Sequence, residues 1–210
     1  MSRTKTFLTG LIGAVPVACG MIACACAFPT AFGIGFSLVP LILFCIAASL
    51  LLSFWMTAPK YGFGFGALYL SGMILIIVCC SNRIENGSKA FFQGILRIPD
   101  INDVFVRQIL PNLPESVAGF FRDLLDPAKE IPDPALSVSL LLMIVTGVAG
   151  TLLAYSQLRS NVAALPLLIP LPMILLSFAF KELPPDPWTI ILLCVYYGFA
   201  LFGNGFKKGA

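Results

Sequence analysis

Six stretches of the chain carry no charged residue: 7–28, 33–57, 61–80, 136–156, 160–180 and 188–206. Each is within or near the roughly 20 residues that a helix needs to cross a hydrocarbon core about 30 Å thick. A soluble fold of 210 residues has too little interior to hide six such runs, whereas a bilayer accommodates them. Charged residues make up 11% of the chain and hydrophobic ones 59%, against about a quarter charged in an average soluble domain. The reading is an all-α, polytopic membrane helix bundle of about six transmembrane helices with an extracytoplasmic amphipathic helical loop.

Residues 1–80 hold the first three predicted spans, at 7–28, 34–56 and 62–80. The first follows Arg3 and Lys5. Its Ala23-Cys24-Ala25 and Ala25-Cys26-Ala27 resemble signal-peptide cleavage sites. The apolar run is nevertheless long for a signal core, and the expectation is a retained helix. Trp55 falls near the end of the second span, where an indole favours the headgroup level. Gly62 and Gly66 open the third span four residues apart, on one helix face. They either admit another helix closely or form a flexible aromatic entry, and both readings stand at this point. Residues 135–210 hold the other three predicted spans, at 136–156, 162–180 and 188–203. Pro166, Pro170 and Pro172 predict that the fifth is kinked or broken, with neighbours or water satisfying the freed carbonyls.

Between these halves the character changes. Residues 81–134 carry 14 of the 23 charges, six basic and eight acidic. Three short amphipathic helices are predicted there, at 88–97, 101–110 and 112–125, separated by Pro99, Pro111 and Pro127. The third has the clearest pattern. Val117, Phe120, Phe121, Leu124 and Leu125 follow the i, i+3, i+4, i+7, i+8 stripe. Asn112 and Glu115 resemble a capping box around Pro114. Asp100 is the expected N-cap of the second helix.

Orientation follows from basic residues in the short flanks. With the N-terminus inside, the inner face collects Arg3, Lys5, Lys60, Arg159, Lys207 and Lys208, six basic residues and no acid. The bias predicts a multi-pass protein with both termini cytoplasmic.

The chain offers little to chemistry. It has no histidine, so the usual general base and the commonest metal ligand are missing. The seven cysteines lie in or at the edge of apolar stretches, where they behave as small hydrophobes. Neither Cys24 and Cys26 nor the Cys79–Cys80 pair has further ligands at metal spacing. No ionisable residue lies within a predicted span, as coupled transporters usually require. Ser71, Thr146, Thr151 and Ser177 are expected to bond to their own backbone or to a neighbouring helix. No Gly-rich phosphate loop is present, and the basic residues form no nucleic-acid patch. No catalytic, cofactor or metal site is expected, and the expected partner is the lipid bilayer. Gly62, Gly66, Pro166, Pro170 and Pro172 remain as packing or pathway positions.

One further pattern spans roughly residues 81–208. A helical loop is followed by the apolar helix 136–155, then Arg159-Ser160-Asn161, then Leu165-Pro166-Leu167-Leu168-Ile169-Pro170, then Leu183-Pro184-Pro185-Asp186-Pro187-Trp188. It resembles the N-terminal multi-spanning region of bacterial membrane-anchored transglutaminase-like proteins. The resemblance implies an isolated or truncated N-terminal membrane region in the bacterial plasma membrane, anchoring or partnering an extracytoplasmic domain or another membrane protein. That family acts through a Cys-His-Asp domain, to which nothing here corresponds, so no catalytic residue is carried over. The alternative expectation is a small permease or transporter subunit working through the proline-kinked fifth helix.

Overall fold

The computed structural model describes residues 3–58, 61–125, 131–159, 168, 170, 171 and 186–208. Every regular element among them is helical. The helices are α1 (Arg3–Ala31), α2 (Leu38–Thr57), α3 (Gly62–Cys79), α4 (Ser81–Leu96), α5 (Pro99–Val104), α6 (Glu115–Leu125), α7 (Pro134–Leu158) and α8 (Pro187–Lys208). A π-helical turn, Phe105–Ile109, and a 3-10 turn, Leu110–Asn112, connect α5 to α6.

Four of these, Phe7–Ala31 within α1, Leu38–Thr57, Gly62–Cys79 and Pro134–Leu158, are long and apolar enough to cross a membrane, and they mark a membrane protein. The apolar part of α8, Pro187–Leu201, is shorter. The predicted 162–180 span lies outside the described residues, apart from Leu168, Pro170 and Leu171.

Helix α1 runs further than expected, through Pro29 to Ala31. It stops in a Schellman-type turn: Gly33 N–H bonds the Thr30 carbonyl at 3.3 Å, and Ile34 N–H bonds the Pro29 carbonyl at 2.9 Å. Gly33 supplies the positive φ of 61° that this turn demands. The Thr30 hydroxyl donates back to the Cys26 carbonyl at 2.7 Å, which keeps the last turn satisfied beside the proline.

Antiparallel neighbours surround α1. Ser53, near the end of α2, donates its hydroxyl to the Gly10 carbonyl near the start of α1, at 2.6 Å. Helix α7 is also antiparallel to α1: Gly150 meets Met21, while Leu158 reaches Gly13. On α8, Tyr196 lies against Gly20, and Asp186 at its head is within electrostatic reach of Cys26. Val17, Met21, Leu41, Leu52, Val138, Leu153 and Tyr196 are fully buried among these four helices. In lipid such packing gains little from hydrophobicity and depends on close fit, which the glycines of α1 and α7 permit.

One end of the bundle therefore gathers the starts of α1 and α3 and the ends of α2, α7 and α8. The opposite end gathers the α1–α2 turn and the heads of α7 and α8. Helix α4 lies across this second end. Its Gly87 is pressed on the Ser137 carbonyl of α7, and its Gly94 on Ile34 of the α1–α2 turn.

The 81–134 region differs in detail from the expectation. Helix α4 begins at Ser81 rather than at residue 88, because nothing between Ser81 and Gly87 breaks a helix once Cys80 has turned the chain. Asp100 is not a cap: α5 starts at Pro99, with Ile98 in the N-cap position. Asn112 does not cap α6 either. Its side-chain amide donates to the Gln108 carbonyl at 2.7 Å, while the Pro114 carbonyl accepts from Val117 and Ala118.

Candidate functional site

The described spans meet through a small set of polar bridges and glycine contacts, and these hold Gly62, Gly66 and Thr151. The first lies where α2 hands over to α3. A Cβ on Gly62 would stand 2.6 Å from the backbone oxygen of Trp55, and one on Gly66 would stand 2.5 Å from its indole ring. Only a bare Cα fits at both points. The two glycines thus bring α3 against α2, with Trp55 half-buried between them.

One turn along, Tyr69 reaches from α3 to α7 and donates its hydroxyl to the Gly147 carbonyl at 2.6 Å. Thr151 brings its own hydroxyl within 3.1 Å of the same carbonyl and 3.4 Å of the tyrosine oxygen. Gly147 makes the approach possible, since a Cβ there would lie 2.6 Å from Met73 Cε and 3.1 Å from the Tyr69 hydroxyl. A further bridge ties the heads of α2 and α7. Ser37 N–H donates to Ser139 Oγ at 2.7 Å, and the Ser139 hydroxyl lies 2.9 Å from the Ala135 carbonyl and 3.1 Å from that of Ser37.

Of the membrane hydroxyls singled out in the sequence, Ser71 bonds its own helix at the Leu68 carbonyl, 2.9 Å away. Thr151 bonds both its own helix and Tyr69, Thr146 is buried, and Ser177 lies outside the described residues. Among the proline positions Pro170 is fully buried, while Pro166 and Pro172 lie outside the described residues. Ser37, Ser53, Tyr69 and Ser139 were not singled out by sequence. Single hydroxyls in apolar runs carry no periodic signal that marks them as bridges.

Outside the spans, two ion pairs lie at the surface among the described residues. Lys89 Nζ lies 2.7 Å from Glu85 Oε1, and Arg107 Nε lies 2.6 Å from Asp103 Oδ1, both at i, i+4 on exposed helix faces. The hydrogen bond and charge of Lys89 hold the Glu85 carboxyl below its ordinary value. All seven cysteines are free thiols. Among the described residues no group of three His, Cys, Asp or Glu side chains is placed to hold a metal ion. The arrangement binds helices to one another.

No protein family, characterised protein or solved structure matches the chain.

Proposed function

We propose that the chain is a non-catalytic integral membrane region of six spans that anchors or partners an extracytoplasmic domain. It lies in the bacterial plasma membrane with both termini cytoplasmic, as the membrane part of a transglutaminase-like protein. The observation that carries this reading is how the polar groups of the spans are used. The hydroxyls of Ser53 and Tyr69 each close a hydrogen bond to the backbone of another helix, and that of Ser139 lies 3.1 Å from the Ser37 carbonyl at the head of α2. The described spans themselves contain no Asp, Glu, Lys or Arg between Phe7 and Thr57, 62 and 79, or 134 and 158. Polar groups devoted to helix–helix contacts suit a scaffold better than a coupled transport path, which keeps ionisable groups within the membrane.

Six spans are supported by the ends of the described helices. Helix α7 finishes beside Gly13, whereas Asp186 at the head of α8 is near Cys26, so the chain changes ends between them. A crossing by 162–180 accounts for that change. The orientation is supported by the six basic residues that flank one end, against Lys181 in the short flanks of the other. A retained first helix agrees with the place of Val17, Met21 and Cys26 in the core.

The second reading, a small permease subunit working through the fifth helix, draws on the full burial of Pro170. Reading the genomic frame past Ala210 separates the two. Continuation into a further span and a Cys/His/Asp domain is expected. A stop codon beside a transport ATPase gene would overturn the anchor reading in favour of the permease.

A further inference from the structure

The charges of the chain are divided unequally between the two ends of the bundle. All ten acidic residues fall within 81–134 or 182–186. The described parts of those segments belong to the end where α4 lies across the α1–α2 turn and the heads of α7 and α8. The other end gathers the starts of α1 and α3 and the ends of α2, α7 and α8. Arg3, Lys5, Lys60, Arg159, Lys207 and Lys208 flank it, and no acid does. The counter-charge for that end therefore comes from outside the chain.

Three of the six basic residues share one corner. Phe7 of α1 packs on Phe54 of α2 with ring centres 5.5 Å apart, and Phe54 stacks on Phe65 of α3 at 5.2 Å. This stack sets the three helices at a common height. Arg3 and Lys5 lie in the turn of α1 before Phe7. Lys60 falls in sequence between Ala58, which ends α2, and Tyr61, which precedes α3. Gly62 N–H closes that short turn on the Ala58 carbonyl at 2.8 Å. With a rise of 1.5 Å per residue, Arg3 lies about 6 Å beyond Phe7 along the helix axis. Ala58 lies about 6 Å beyond Phe54 in the same direction, because α1 and α2 are antiparallel. The basic positions thus stand one turn outside the aromatic stack. At the same corner Phe7, Tyr61 and Phe63 are 60, 61 and 88% exposed. Exposed aromatic rings at the ends of apolar spans mark the headgroup level of a bilayer, and the anions of that level are lipid phosphates.

We infer that the α1–α2–α3 corner binds an anionic phospholipid, its headgroup held through Arg3, Lys5 and Lys60 and its upper acyl region at the depth of Phe7 and Phe63. The charge complementarity selects a lipid with net negative charge, since the phosphate of a zwitterionic lipid already carries its own cation. The occupant is lipid rather than a soluble polyanion. The basic residues lie on short helix flanks at headgroup height, and a nucleic acid or an acidic protein would need a patch standing clear of the membrane. The inference rests on the chain being embedded in a membrane, but not on the span count, the orientation or the anchor reading.

The two native tryptophans report opposite ends of the bundle and test this in the full chain. Trp55 adjoins the corner through Gly62 and Gly66, and Trp188 stands at the head of α8. Trp188→Phe and Trp55→Phe leave one reporter each. Both variants are reconstituted in mixed phosphatidylcholine and phosphatidylglycerol vesicles in which one lipid carries bromine near the headgroup end of its acyl chains. At equal mole fraction, brominated phosphatidylglycerol is expected to quench Trp55 severalfold more than brominated phosphatidylcholine, with no such preference at Trp188. Lys5→Gln together with Lys60→Gln is expected to bring the two lipids level at Trp55 without changing the thermal unfolding of the protein. Equal quenching of Trp55 by both lipids before that substitution would overturn the inference. A preference that survives it, or that appears equally at Trp188, would do the same. Displacement of the preference by added inorganic phosphate would show a soluble-anion site in place of a lipid site. Loss of all quenching at Trp55 with Trp188 still quenched would remove lipid from this corner alone, whereas loss at both would overturn the embedded reading as well.

Discussion

Tyr69 and Gly147 stand 78 residues apart in the chain and are joined by a 2.6 Å hydrogen bond that ties the peripheral helix α3 to α7. Most of the other packing of α3 is against α2, through Gly62, Gly66 and Trp55. The bond and the contact of Met73 with Gly147 together hold α3 on its second side. Interhelical hydrogen bonds in membranes contribute about 0.6 kcal/mol on average and up to about 1.7 kcal/mol.

Tyr69→Phe keeps the ring and removes the donor, so the expected loss of stability in detergent is about 1 kcal/mol. Thermal unfolding of the purified protein measures it. Tyr69→Ala adds a cavity beside Met73 and should cost more, in the range of about 3–5 kcal/mol. Equal melting of Tyr69→Phe and the parent would remove the bond from the list of stabilising contacts.

Two glycines provide a matched pair. Gly87 abuts the Ser137 backbone, which cannot rotate away, whereas a Cβ on Gly119 of α6 meets nothing within 4 Å. Gly87→Ala must therefore push α4 off α7, with an expected cost of about 1–3 kcal/mol. Gly119→Ala removes only backbone entropy and is expected to gain about 0.5–1 kcal/mol of helix stability. Limited proteolysis within 81–125 reports both effects. The same direction of change in the two variants would show that Gly87 is not pressed on the Ser137 backbone.

Phe121 holds α6 to α4 through Phe92 and to the π-helical turn through Phe105. Each aromatic pair contributes about 0.5–1.5 kcal/mol beyond area burial. Phe121→Asp inserts a charge between the two rings, so α6 should detach while α1, α2 and α7 stay packed. The expected result is rapid protease cleavage within 99–125 with little change in the melting of the spans. Unchanged cleavage would refute the clamp.

The legible and illegible parts of this fold divide along physical lines. Spans α1, α2, α3 and α7 appear in the sequence to within a few residues, because the absence of charge over 20 residues is demanded by lipid and by little else. Which side chains join the helices is another matter. Tyr69 reads as one more aromatic in an apolar run, and its partner is a backbone carbonyl with no residue type to mark it. The 81–134 region illustrates the same limit. Phe91 and Ile95, four apart on α4, share the spacing of Phe105 and Ile109, yet the first pair packs on the bundle and Ile109 stays exposed. Tertiary placement of α4 decides that difference, and local periodicity is blind to it.

The Glu85–Lys89 pair makes a pH prediction whose sign is fixed. The carboxyl value of Glu85 is lowered by the hydrogen bond and charge of Lys89. A lowered value in the folded state means stability that is present above the ordinary carboxylate value and lost as pH falls through the lowered one. Both side chains are substantially solvated, so the effect on melting should be small. Carbon-13 titration of the labelled Glu85 carboxyl in detergent should show a midpoint below that of an ordinary glutamate, and Lys89→Met should return it upward. A midpoint unmoved by that substitution would mean the pair is not formed in solution.

Orientation gives the sharpest test of the whole arrangement. Gly35 in the α1–α2 turn is exposed, and a Cβ there meets nothing within 4 Å, so Gly35→Cys should leave the fold intact. Ser160 follows Arg159, the residue that ends α7 at the opposite end of the bundle. With Cys79 and Cys194 replaced by alanine, the remaining native cysteines are buried or half-buried and should label slowly. A membrane-impermeant maleimide applied to intact cells is then expected to reach Gly35→Cys at once and Ser160→Cys only after permeabilisation. The basic residues around 160 and at both termini motivate this order, since translocating them is disfavoured. The reversed order would invert every span together, because α1, α2 and α7 are packed against one another. Access to both sites from outside would instead break the assumption that α7 crosses the membrane.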